Sequence, residues 1–263
     1  MKRIILFVLA LMFVTPVFAQ TKTHNLEVAY EVANYKYKEP GLMNLRSENK
    51  QGVSAMYTYT NAASGYLFGI DFRYLQGDVD YHGGTWGGDP LTADNLRDYY
   101  FEAALKTGRN YALSEHLSLA AYTGLGWRQL RNHLEDSGEG GYLRQSTYLY
   151  LPLGAHVIYE IPNQWRFRLT AEADCLLRGQ QISDFEDMGR ITNDQTSGWG
   201  ARVSLKAEKI IGKVGVFVEP FFRYWEIEDS DTVRVRIIGE GDLYLQEPKN
   251  RTREYGLKIG VSF

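Results

Sequence analysis

The stretch Arg251-Thr252-Arg253-Glu254-Tyr255-Gly256-Leu257-Lys258-Ile259-Gly260-Val261-Ser262-Phe263 decides the fold. From Tyr255 onward every odd position is apolar: Tyr255, Leu257, Ile259, Val261 and Phe263. The even positions, Glu254, Gly256, Lys258, Gly260 and Ser262, are charged or small. Successive side chains of a strand point to opposite faces, so a period of two makes one face greasy and the other polar. A strand with hydrocarbon on one side and water on the other needs that pattern.

The rest of the chain is consistent with export. Lys2 and Arg3 precede an apolar run, 4–14, which Pro16 ends, and Val17-Phe18-Ala19 supplies a small-residue cleavage pattern. Residues 1–19 therefore read as a signal peptide cut near Ala19, with Gln20 opening the mature chain. The run is too short to cross a bilayer as a helix. No Cys follows the cleavage point, so a lipid anchor is not expected. Residues 20–263 are then enough for one β domain of barrel size. Removing Lys2 and Arg3 moves the formal charge from −3 to −5, which argues against nucleic acid as a partner. The single Cys175 allows no internal disulfide and reads as a small apolar strand residue.

Ten alternating segments can be counted, at about 25–37, 51–60, 66–81, 99–105, 117–127, 149–159, 165–177, 199–207, 216–224 and 251–263. Gaps between them alternate short and long. The long ones, read as loops, are 38–49, 82–96, 131–141, 179–196 and 229–250. Short turns on one side and long loops on the other are the asymmetry of outer-membrane barrels. The expectation is an all-β, transmembrane, antiparallel up-and-down barrel of ten strands, with eight or twelve as alternatives.

Aromatic residues test the assignment. With odd strands running outward, an outer belt collects Tyr74, Tyr99, Phe101, Trp127, Trp199, Tyr224 and Tyr255. An inner belt collects Tyr59, Tyr66, Tyr159, Trp165 and Phe263. Tyr66 to Tyr74 is eight steps, about 26 Å at roughly 3.3 Å per residue. Tilted by roughly 40°, that gives about 20 Å of height, close to the apolar band of such barrels.

The opposite faces give the interior. Inward acids are Glu27, Glu31, Asp71, Glu102, Glu172, Asp174, Glu208, Glu219 and Glu254. Inward bases are Lys106, Arg128, Arg166, Arg168, Arg178, Arg202, Lys206, Arg223 and Lys258, with His156 beside them. Buried charges must be paired or solvated. Equal numbers in so narrow a barrel favour a cross-linked, mostly plugged lumen over a single-sign conduit. A thin conductive path along Arg166, Arg168, Arg178, Arg202 and Lys206 is the alternative.

No metalloprotease, nucleophile-elbow, phosphate-loop or paired-Cys motif occurs. His24, His82, His116, His133 and His156 are scattered over different segments. The acidic groups Asp184/Glu186/Asp187 and Glu228/Asp229/Asp231 lack the spacing of a calcium loop. Neither a metal nor another cofactor is expected.

Resemblance adds to this reading. The terminal strand ending on Phe263 resembles the C-terminal assembly signal of bacterial outer-membrane barrels, which implies the barrel-assembly machinery as a partner. Strand number and length are similar to the omptins, outer-membrane proteases with paired Asp and an Asp-His dyad at the rim. Asp78-Val79-Asp80 before Gly84-Thr85-Trp86 looks like their Asp-x-Asp region, making Asp78 and Asp80 catalytic candidates. The corresponding fourth loop, however, has no His to activate a water. Both Asp also share parity with lipid-facing Tyr74. Three further strings resemble an outer-membrane, porin-like barrel family that brings no reaction with it. They are Tyr35-x-Tyr37-x-Glu39-Pro40-Gly41-x-Met43, Glu219-Pro220-Phe221-x-Arg223-Tyr224-Trp225 and Glu247-Pro248-Lys249-Asn250-x-Thr252-x-Glu254-Tyr255-Gly256.

The resulting expectation is a monomeric, non-enzymatic outer-membrane barrel with a small porin-like or surface-exposed structural role. An omptin-like rim hydrolase and an adhesin acting through its outer loops are the alternatives. Outer-membrane lipids and lipopolysaccharide are the expected surroundings, with Arg251 and Arg253 placed to meet lipopolysaccharide phosphates.

Overall fold

The computed structural model describes residues 24–84, 89–138, 141–185, 189–237 and 241–263. Residues 1–19, expected to be a signal peptide, fall outside them, as do Thr85, Trp86, Glu186 and Asp187. The strands are β1 (His24–Glu39), β2 (Met43–Thr60), β3 (Tyr66–Gly84), β4 (Pro90–Ala112), β5 (Leu117–His133), β6 (Leu143–Ile161) and β7 (Trp165–Phe185). They continue with β8 (Gly189–Gln195), β9 (Gly198–Ile211), β10 (Val214–Ile227), β11 (Thr232–Ile237), β12 (Gly241–Gln246) and β13 (Asn250–Ser262). The order β6-β5-β4-β3-β2-β1-β13-β10-β9-β7 closes through a β6–β7 pairing, giving a ten-stranded antiparallel barrel. β8 lies on the upper part of β7, and β11 with β12 forms a separate hairpin.

Tight returns mark one end. Asn61 Oδ1 accepts from the amides of Ala63 and Ser64 at 3.1 and 2.9 Å, an Asx turn. Asn163 and Gln164 both have positive φ, 71° and 66°, the mirror-image turn that matches strand twist. The other end differs from the expectation. The stretches 38–49, 82–96 and 179–196 are largely strand, 229–250 carries the β11–β12 hairpin, and 131–141 holds the end of β5 and a 3-10 turn (Leu134–Ser137). The barrel wall therefore continues well past the outer belt.

Periodicity failed to reveal this because the apolar phase reverses at the belt. Below it, β3 turns Phe68, Ile70 and Phe72 outward and keeps Asp71 and Arg73 inside. Above it the same strand buries Leu75, Val79 and Tyr81 and exposes Gln76, Asp78 and Asp80. Outside the bilayer the outer wall meets water, so the interior becomes an ordinary core and the greasy residues change sides.

Four inward glycines share a role. Each faces a ring across the ladder: Gly126 opposite Tyr150, Gly154 opposite Tyr122, Gly200 opposite Trp225, Gly256 opposite Phe221. A Cβ at Gly154 would stand 2.4 Å from the Tyr122 ring. The small even positions of the terminal strand are thus space for β10 aromatics as well as a polar face.

Candidate functional site

The lumen is where chemistry-bearing side chains converge, and it is built in layers. Near the middle, Glu27 of β1 accepts from both arms of Arg168 of β7, each at 2.7 Å, and from Lys206 Nζ of β9 at 2.8 Å. Glu219 stands 3.3 Å from both Arg168 and Lys258. Arg166 contacts Glu160 at 2.7 Å and Glu208 at 3.3 Å. Glu172 accepts from Lys106 at 2.7 Å and from the Tyr122 hydroxyl at 2.8 Å. Arg202 joins Glu172 (3.0 Å), Asp174 (2.8 Å) and Glu102. Glu102 also accepts from Arg223 (2.9 Å) and Tyr150 (2.7 Å). Higher still, Glu254 holds Arg73 at 2.9 Å and Arg128 at 3.3 Å. Burial makes this pairing obligatory, since an isolated charge here would lack both water and counter-charge.

Above the charges lies an aromatic core that inward parity predicts but hydrophobic alternation hides. Tyr35, Tyr37, Tyr100, Tyr148, Tyr150 and Trp225 are all buried. Tyr148 stacks parallel to Trp225 at 6.2 Å between ring centres, Tyr150 meets it edge-on at 5.2 Å, and Arg128 lies over it at 5.4 Å. Lys50 sits 4.3 Å above the Tyr35 ring and pairs with Asp98, which also accepts from Asn132. At the mouth, Arg144 binds Glu39, Glu247 and the Tyr37 hydroxyl, tying the first, third and last outer connections together. Burial opposes the Arg144 charge, but Glu39 and Tyr37 hold its pKa above the ordinary arginine range.

Below the aromatics, two adjoining cavities of about 110 and 120 Å3 share Glu27, Asp71, Lys106, Tyr122, His156 and Arg168 as walls. The lower also touches Asn25, Thr60 and Glu160, at the short-turn end. His156 shares a 2.9 Å hydrogen bond with Thr170 through Nδ1 and packs its ring, tilted by 33°, against Tyr122 at 4.6 Å between ring centres.

The belt residues lie on the outer face: Tyr74 beside Tyr99 (6.1 Å), Phe101 beside Trp127 (5.3 Å) and Trp199 beside Tyr224 (5.1 Å). Tyr255 is exposed below Arg253, and Tyr66, Tyr159, Trp165 and Phe263 are exposed at the lower level. One assignment needs correction. Arg178 is outside, because an extra residue at Leu177 breaks the register between Leu149↔Arg178 and Tyr150↔Leu176. The conductive path expected along the Arg-rich wall is interrupted there, and its other bases are all ion-paired.

Asp78 and Asp80 are exposed on the outer face, opposite Arg97 and Arg46. His82 is exposed on the same strand, and His133 shares a 2.6 Å contact with Glu135 beside Tyr99. No Asp-His dyad is assembled from these residues. Among the described residues no cluster of three His, Cys, Asp or Glu can hold a metal. Asp184 meets Arg190 at 3.5 Å, Glu228 meets Lys249 at 2.8 Å, and Asp229 and Asp231 cap the backbone amides of Lys249 and Asp194.

No curated protein sequence matches the chain. Among solved structures, the outer membrane protease OmpT from Escherichia coli superposes with a TM-score of 0.68 at 12% identity, covering 94% of this chain and 98% of that one. At that identity the likeness shows the fold alone. The Ralstonia pickettii toluene transporter TbuX gives 0.40 at 9% identity (92% and 89% covered). The Yersinia pestis attachment invasion locus protein Ail gives 0.35 at 12% (92% and 100%). The family model described as outer membrane protein OpcA matches residues 101–263, from mid-β4 through the terminal strand. The chain belongs to the OpcA outer membrane protein family, and its location is the bacterial outer membrane.

Proposed function

We propose that the protein is a non-enzymatic, surface-exposed structural barrel whose lumen carries no solute through. The observation that supports this most directly is the aromatic core around Trp225, stacked over the ion-paired layers and capped by Arg144. Any solute entering the lower cavities meets Tyr148, Tyr150 and Trp225 before it reaches the outer mouth. The mature chain reconstituted in planar bilayers should show no discrete conductance steps, while migrating on gels in a heat-modifiable way. Regular steps would restore the porin-like reading.

The adhesin reading is favoured by one feature, the β11–β12 hairpin, which presents Arg234, Arg236 and Tyr244 to solvent. Loss of cell or matrix binding when this hairpin is shortened, with the barrel still assembled, would support it. The rim-hydrolase reading is opposed by the outward placement of Asp78 and Asp80. Cleavage of basic peptides in the presence of lipopolysaccharide, abolished in Asp80→Asn, would revive it. Residues 1–19 fit the role of an export signal, and the intact mass of the membrane-inserted chain tests for a start at Gln20.

A further inference from the structure

We infer that the outer face of the β2-β1-β13 seam is a binding site for the phosphate groups of an outer-leaflet glycolipid. Five bases from three adjacent strands meet there. Lys36 pairs in register with Arg253 on one side and Arg46 on the other, and Lys38 pairs with Arg251. All five point away from the lumen, because Tyr35, Tyr37, Thr252, Glu254 and Leu45 occupy the inward positions between them. Arg46 joins only because β2 carries an extra residue between Ser47 and Lys50, which reverses its parity.

Like charges directly opposite each other on one sheet face destabilise it. Here that happens three times running. The available acids lie at the margins: Glu226 meets Arg251 at 2.7 Å, Glu48 meets Arg46 at 2.5 Å, and Asp80 is the register partner of Arg46. Among the described residues, no carboxylate lies within ion-pairing distance of the central Lys36, Lys38 or Arg253. Arg253 instead lies over the Tyr224 ring at 5.9 Å.

Height identifies the occupant. Tyr255 sits one outward position below Arg253, is exposed, and belongs with Tyr224 to the ring of aromatics that marks the upper limit of the apolar band. Arg253 is level with Tyr224 in register and the other bases lie level with it or above, so they stand at headgroup level. Spread over three strands, they match a headgroup with two or more phosphates better than a single one, since arginine and lysine bind phosphate through charge-assisted hydrogen bonds. The inference rests on the outer-membrane location and not on whether the lumen conducts.

The test uses the mature chain folded in a neutral maltoside detergent, with bis-phosphorylated lipid A, dephosphorylated lipid A and inorganic phosphate as separate probes. Bis-phosphorylated lipid A is expected to raise the thermal midpoint and to bind at least tenfold more tightly than the dephosphorylated form. Binding should weaken at least tenfold in Lys36→Gln/Lys38→Gln/Arg253→Gln and be retained in Lys36→Arg/Lys38→Arg. Heat-modifiable migration confirms that each variant is folded, and Arg190→Gln, remote on β8, serves as the control. Equal binding of the two lipid A forms, or an undiminished response in the folded triple variant, would overturn the inference. So would inorganic phosphate reproducing the full effect, because the site would then be one for free phosphate.

Discussion

Arg168 and Glu27 meet fork to fork across the lumen, with both hydrogen bonds at 2.7 Å, although their strands lie on nearly opposite sides of the barrel. That contact braces the wall through its interior, in addition to the hydrogen bonds around its circumference. Glu27 also carries Lys206, so one carboxylate neutralises charge from two strands. Glu27→Gln should therefore cost more than an ordinary hydrogen bond. We expect a loss of about 3–5 kcal/mol, the range for removing one partner of a buried pair, read as a lower urea midpoint in detergent. Glu27→Gln/Arg168→Gln should recover part of it, since fewer unpaired charges remain. A single variant as stable as the parent would show that water fills this layer.

Trp225 is the keystone of the upper lumen, against Tyr148, Tyr150 and Arg128. Trp225→Ala should cost about 3–5 kcal/mol through lost burial and the cavity left behind. It should also produce small conductance steps in planar bilayers where the parent is expected to show none. Destabilisation without conductance would mean that the Arg144 cap alone closes the mouth.

Gly256 has no room for a side chain. A Cβ there would fall 2.1 Å from the Val32 carbonyl oxygen and 2.7 Å from the Phe221 ring. The first of these is backbone on the adjoining strand and cannot rotate away. Gly256→Ala should slow or abolish closure of β13 onto β1, measured as loss of the heat-modifiable band in a refolding time course. Gly189→Ala, where nothing lies within 4 Å but φ is +72°, should assemble with at most a modest strain cost.

Above the belt, Glu226 links β10 to β13. Hydrogen bonds from Lys249, Tyr224 and Arg251 hold its carboxyl down at about 2, from an ordinary 4.5. A depressed carboxyl pKa means that the contribution is full above about 4.5 and disappears only as pH falls towards 2. A carbon-13 titration of the Glu226 carboxyl should give a midpoint near 2. Lys249→Gln, which removes the largest cause, should move that midpoint upward.

Spin labels offer a check on the whole arrangement. Labels at Leu151, Val203 and Ile259, all on the outer face, should collide with oxygen dissolved in the bilayer. Labels replacing Arg168, Arg202 or Glu219 should not. The opposite result would place the chain outside the membrane.

The sequence by itself determined the barrel. Side-chain alternation is a property of the backbone, so Tyr255 to Phe263 and Phe68 to Tyr74 reveal a lipid-facing wall without any partner strand. It also placed Glu102, Glu172, Arg202 and Arg223 on the inward face. Tertiary structure decided how these groups pair, because closure and stagger bring Arg168 to Glu27 and Arg144 to Glu247 over long chain separations. It also revealed the length of the wall, whose apolar residues move inside once water replaces lipid. Finally, it turned Arg46 and Arg178 outward through bulges. One extra residue leaves no mark on local composition but reverses the facing of every side chain beyond it.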